Sequence, residues 1–178
     1  MIGTVELLKL VKEEKLVEGL CERELQNPEG AGFDLRVGEA FIMKDGETFL
    51  GETERHTPET QSVAKYGTEK SVVLKPRDFL LVKTIEKTNL PFDIAALIRP
   101  RSTLQRCGIG LFTAPISPGY SGELTFGMCN LGKNDFRLEM GARIAHVLFF
   151  RTGKNFSSYR GQWQGGRVST EGKKEKQV

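Results

Sequence analysis

Residues Arg99–Gly122 read RPRSTLQRCGIGLFTAPISPGYSG, and the order of residue types along them decides the fold. An apolar run, Ile94–Ile98, leads into Arg101-Ser102. A second apolar run follows at Ile109–Phe112, and Pro118-Gly119 then marks a tight turn that ends on Tyr120. Strand, turn, strand and turn follow too closely to leave room for a crossover helix, so antiparallel pairing is expected here.

Working outward, the same short-strand rhythm recurs. Phe33–Val37 alternates roughly by two, Val72–Leu74 and Leu80–Val82 flank the turn Lys75-Pro76-Arg77-Asp78, and Leu124–Met128, Phe136–Leu138 and Ala145–Phe150 follow. Pro, Gly, Asn and Asp separate most of these runs. Many short strands with such punctuation predict an all-β chain, a mainly antiparallel barrel or jelly roll. The exception is Thr4–Leu20, expected to be a short N-terminal helix with Thr4 as cap, Glu6 in its first turn, and Val5, Leu8, Val11 and Leu16 spaced toward one face. Residues 51–70 are polar and unpatterned, a surface loop or hairpin excursion. One domain is expected over residues 1–166, with 167–178 a polar, disordered tail.

A net charge of +3 over 178 residues is too small for a dedicated nucleic-acid surface, and no aromatic-basic repeat appears. Cys21, Cys107 and Cys129 form no C-x-x-C pair, and an odd count closes no disulfide framework, so a reducing compartment is expected. No apolar run is long enough to span a bilayer and no secretory signal is visible, which points to the cytoplasm.

Arg101 and Ser102 carry the first chemical signal. Guanidinium offers a fork of donors matched to phosphate oxygens, serine adds a hydroxyl, and a turn there exposes backbone N–H groups. Arg106 lies near enough in sequence to reach the same phosphates. Read alone, the pair is equally an ordinary surface arginine at a turn.

It does not stand alone. GAGFDLRVG (30–38), RPRSTLQRCGI (99–109), TAPISPGYSGEL (113–124), GARIAHVLF (141–149) and YRGQWQGG (159–166) occur in order. Together they resemble the five motifs of the dUTPase and dCTP deaminase superfamily. The resemblance implies a distorted jelly-roll (β-clip) subunit in a homotrimer with interfacial sites, and a C-terminal arm (159–166) closing over the ligand. The ligand implied is a deoxynucleoside triphosphate, dUTP or dCTP, with Mg²⁺ bridging its phosphates rather than a side-chain metal cage. Carried onto this sequence, Arg101, Ser102, Thr103 and Arg106 would meet the phosphates. Thr113 and Ala114 would lie by the pyrimidine edge. Tyr120 would pack on the deoxyribose and exclude a 2′-hydroxyl, and Tyr159, Arg160 and Gln164 of the arm would contact the nucleotide. Tyr120 has an ordinary alternative as a cross-strand aromatic, and the arm as a tail with one aromatic anchor, Trp163. His146, in a predicted strand, is expected in the core or at an interface.

Two positions set the branch. The glutamate that the deaminases use falls at Gly127, which has no side chain to act as a base. Glu123 is four residues away along the strand, roughly 13 Å. The aspartate that the hydrolases use to position water falls at Ser117, which is uncharged and a poor base. Asp34 is a candidate to compensate, its ordinary alternative being a turn contact. These features favour a dUTP diphosphatase with a degenerate catalytic position, over a dCTP deaminase or a non-catalytic nucleotide-binding protein.

Overall fold

The computed structural model describes residues 1–153 and 157–177. Helix α1 (Thr4–Glu14) is shorter than expected, and its buried stripe is centred on Leu7 and Leu10, with Val5 exposed. Gly3 rather than Thr4 is the N-cap. Lys15 ends the helix in the left-handed region, its N–H bonded to the Leu10 carbonyl. That reversal sends Leu16 and Val17 inward and forms strand β1 (Val17–Glu18), which pairs with a core strand. A five-residue helix, α2 (Glu22–Gln26), follows with no period that the sequence announces.

The rest of the chain is strand: β2 (Gly32–Met43), β3 (Phe49–Leu50), β4 (Glu54–His56), β5 (Thr60–Lys65), β6 (Ser71–Leu74), β7 (Phe79–Asn89) and β8 (Ile94–Pro100). After the short helix α3 (Ser102–Arg106) come β9 (Ile109–Phe112), β10 (Ser121–Asn130), β11 (Phe136–Glu139), β12 (Arg143–Arg151) and β13 (Glu175–Lys176). The main path is β8-β12-β2-β7-β10-β9, with β1 joined to β7 and β5 to β2, and every pairing along it is antiparallel. The result is an all-β, nearly closed barrel-like sheet of the expected class.

Burial alternates strictly along β7 and β10, and Leu80, Val82, Leu124, Phe126 and Met128 enter one core with Phe33, Leu35 and Phe149. The register of β10 on β7 slips between Glu123 and Thr125. The freed groups are met by side chains. Thr84 Oγ1 accepts the Leu124 N–H at 2.9 Å and donates to the Glu86 carbonyl at 2.7 Å. Glu86 is itself fully buried; it accepts the Arg36 backbone N–H at 2.7 Å and Nε at 2.6 Å. Burial pushes its carboxyl above the usual range, with Arg36 countering only in part.

The end of the chain departs from the expected free tail. Ser169 and Thr170 are buried, and Thr57 and Thr170 exchange three hydrogen bonds of 2.8–3.1 Å through backbone and hydroxyl groups. Strand β13 then pairs with β4, inside the polar excursion. Hydroxyl pairing of this kind leaves no hydrophobic signature, so a polar composition concealed an ordered segment. Residue 178, the last of that tail, and residues 154–156 lie outside the described residues.

Candidate functional site

The motif residues assemble into two cavities that share no lining residue. The first, about 340 Å³, is lined by Glu29, Gly30, Asp34, Pro100, Arg101, Ser102 and His146. It forms where β8 ends beside β12 and β2, so that three motifs meet at one corner. Asp34 is a strand residue of β2, not a turn contact, and its side chain is 1% exposed. Its Oδ2 takes ion pairs from Arg101 and from Arg143, the latter at 2.8 Å, and its Oδ1 meets His146 Nδ1 at 2.8 Å. Burial pushes the carboxyl up, but the His146 hydrogen bond and the charges of Arg101, His146 and Arg143 outweigh this and hold it below the usual carboxylate range. A carboxylate so occupied is a weak base, and it does not line the cavity that holds Ser117. Asp34 is therefore a clamp on Arg101 rather than a compensator for Ser117.

Helix α3 presents Ser102, Thr103 and Arg106 to solvent over the buried Leu104. Arg106 Nη1 returns to the Ser102 carbonyl at 3.1 Å. Of these, Ser102 lines the Arg101 corner, and Thr103 and Arg106 do not.

The second cavity, about 400 Å³, runs under the 113–120 loop between β8, β10 and the C-terminal arm. Its walls are mostly apolar, including Ile98, Ile116, Leu124 and Phe126, and it also holds Ala114, Ser117, Tyr120, Thr125, Tyr159, Trp163 and Arg167. The loop is stapled to β8 by reciprocal bonds between Ala96 and Ile116 at 2.8 and 3.0 Å. Ser117-Pro118-Gly119-Tyr120 closes as a turn, Tyr120 N–H to the Ser117 carbonyl at 3.2 Å, with Gly119 at φ +81° in the place where such a turn requires glycine. Thr113 is turned away, donating to the Ile98 carbonyl at 3.2 Å, and does not line the cavity.

The arm lies on this cavity. Tyr159 N–H bonds the Pro118 carbonyl at 2.7 Å, and its ring meets Tyr120 edge to face at 5.2 Å. The Tyr120 hydroxyl donates to the Glu123 carbonyl at 2.6 Å, and burial, with Tyr159 and Glu123 nearby, pushes its pKa up to about 12. Gln164 bridges the Gly119 carbonyl at 3.1 Å and the Ser121 N–H at 3.2 Å, while Arg160 stays exposed. Gly122 passes so close that a Cβ there would collide with the Gly166 backbone nitrogen. Trp163 is held by Arg55 of β4, 4.5 Å from its ring centre, with Arg167 at 5.9 Å on the same ring. Arg55, Arg143 and Arg167 escaped the sequence reading because isolated arginines carry no local signal.

A side chain at Gly127 would require two aromatic rings to move aside. A Cβ there would come within 2.8 Å of Phe79 Cζ and 3.2 Å of Phe112 Cδ2, two rings stacked at 6.4 Å. Neither Asp, Glu nor His is among the described residues that line the second cavity.

This corner, loop and arm on an antiparallel barrel define a nucleotide-enzyme class of fold. The family model described as dCTP deaminase-like matches residues 2–152, and the chain belongs to that family. It is 34% identical over 157 residues to a dCTP deaminase of Pyrococcus furiosus, covering 87% of this chain and 88% of that one. It is 27% identical to a dUMP-forming dCTP deaminase of Dictyoglomus turgidum, covering 85% and 80%. Among solved structures, it resembles a 2′-deoxycytidine 5′-triphosphate deaminase of Agrobacterium tumefaciens with a TM-score of 0.62 at 20% identity. That match covers 85% of this chain and about half (48%) of the other. A point mutant of the dUTPase from Staphylococcus aureus phage phi11, a protein described as coordinating a structural Mg(II) ion, matches at TM-score 0.51 and 15% identity, covering 80% of this chain and 94% of the other. These two likenesses show the fold. Among the described residues, no helix is long and apolar enough to cross a membrane.

Proposed function

We propose that this chain binds a pyrimidine deoxynucleoside triphosphate and slowly hydrolyses dUTP to dUMP and diphosphate. The nucleoside fills the 114–126 cavity under the arm, with the deoxyribose against Tyr120. The triphosphate runs to Arg101, Ser102, Thr103 and Arg106. Because the two cavities share no lining residue, one nucleotide bridging them fits a site completed between subunits, as in the trimer that the motifs imply. Thr113 acts through its backbone, since its hydroxyl is spent on Ile98.

The observation that carries the choice of reaction is the packing at Gly127. Deamination needs a base beside the pyrimidine; the position that would carry it is Gly127, a Cβ on which would meet Phe79 and Phe112, and the described residues lining the cavity include no Asp, Glu or His. Hydrolysis asks less: a water attacks the α-phosphorus and loses its proton to bulk solvent, the bond to the β-phosphate bridging oxygen breaks, and diphosphate leaves. Ser117 can hold that water without deprotonating it, at a cost of about 10²–10⁴-fold against a charged base. Among the described residues no three His, Cys, Asp or Glu gather as a metal cage. Mg²⁺ carried on the phosphate oxygens and water would neutralise charge on the leaving diphosphate.

A second reading, binding without turnover, is favoured by a cavity wall whose described residues include no carboxylate or imidazole. Incubation with Mg²⁺ and either dUTP or dCTP, with products resolved by ion exchange, tests all three readings. dUMP from dUTP is expected. Intact nucleotides in a protein that still binds them would favour the second reading. Uracil nucleotides from dCTP would overturn the assignment at Gly127.

A further inference from the structure

The nucleoside cavity holds a polar atom whose hydrogen-bonding capacity is unspent. Thr125 Oγ1 is buried and has no partner among the described residues. Several of its neighbours in the wall are committed elsewhere or apolar. The Tyr120 hydroxyl donates to the Glu123 carbonyl, Arg167 pairs with Glu175, and Leu124, Phe126, Ile98 and Ile116 offer no polar side-chain group. Thr125 lies on β10 between the buried Leu124 and Phe126, and it lines the cavity with Leu81 of the paired strand β7.

A buried hydroxyl without a partner is costly, and native structures retain few. An apolar cavity with a few convergent polar groups is the usual form of a small-molecule site. Resting on the nucleotide reading above, we propose that Thr125 is a specificity residue that hydrogen-bonds the bound pyrimidine ring. A hydroxyl both donates and accepts, and rotates to suit. It can receive the ring N–H of uracil or donate to the bare ring nitrogen of cytosine. Thr125 therefore recognises a pyrimidine hydrogen-bonding edge without choosing between the two bases, and the cavity admits dUTP and dCTP alike.

The test is calorimetric titration of wild type, Thr125→Val and Thr125→Ser with α,β-imido-dUTP and with dCTP in the presence of Mg²⁺. Thr125→Val keeps the shape and removes the hydroxyl. It should weaken both ligands about tenfold, while the melting temperature of the free protein stays level or rises because an unpaired polar atom has gone. Thr125→Ser should hold both affinities within about threefold. Equal binding by wild type and Thr125→Val, or loss for one base alone, would overturn the role given to Thr125. A fall in melting temperature with unchanged affinity would make it structural. Failure of wild type to bind either nucleotide would instead overturn the nucleotide reading on which the proposal rests.

Discussion

The Arg101 corner and the Ser117 cavity lie on one barrel and are built on opposite principles. At the corner, one buried carboxylate gathers Arg101, Arg143 and His146, so charge is dense and each of these groups has a partner. Around Ser117 the lining is mostly apolar, and among the described residues Arg167, whose charge is paired with Glu175, is the only cation on it. The difference teaches which half of a nucleotide each can serve. A corner that holds its arginines in place suits a triphosphate. A neutral cavity suits a base and sugar, and its described residues supply no group that takes a proton at neutral pH.

The strongest way to break this contrast is to put charge into the neutral half. Ser117→Asp should raise dUTP hydrolysis by about 10²–10⁴-fold in single-turnover assays with Mg²⁺. No gain would mean that a different group activates the water. The converse is to remove charge from the other half. Asp34→Ala leaves Arg101, Arg143 and His146 without their shared partner and should cost about 3–5 kcal/mol in urea unfolding, with weaker triphosphate binding. A loss under about 1 kcal/mol would show that the arginines hold position without it.

The same carboxylate predicts an acid limit. Its folded pKa lies below the ordinary value, so its stabilisation is present above that value and is lost as pH falls through the folded one. The urea midpoint should be flat near neutrality and drop below about pH 4, less steeply in Asp34→Asn. Gly122→Ala should lift the arm from β10 through its clash with Gly166, exposing Trp163 to quenchers while the barrel stays folded. The smallest effect belongs to Arg55→Ala, which removes the cation over Trp163 and should free the arm by about 0.5–2 kcal/mol, read as a red shift in Trp163 emission.

The barrel was legible because its strands are short, apolar and separated by turn residues. Each apolar run that the sequence marks after residue 30 is a strand in the structure. The Pro118-Gly119 turn was legible because its residues carry local turn chemistry. What escaped rests on polar groups paired across long separations. Thr57 with Thr170, and Arg55 with Gln162 and Trp163, make no periodic pattern in either partner. Asp34 looked like a turn residue because an isolated aspartate in a β-rich chain usually is one, and its arginine partners lie 67 and 109 positions away. The end of α1 was misplaced because Leu16 continued the apolar spacing, although Lys15 reverses the chain before it. Thr125 was invisible as a site residue, since a lone threonine in an alternating strand carries no local signal.

The central claim is that the neutral cavity and the charged corner together take one pyrimidine deoxynucleotide. Its most direct test is a calorimetric titration of the wild-type protein with α,β-imido-dUTP and Mg²⁺. The account predicts saturable binding of one nucleotide per chain, competed by dCTP and not by UTP, as the proposed packing of the deoxyribose on Tyr120 requires. No binding, or UTP binding as tightly as its deoxy counterpart, would contradict it.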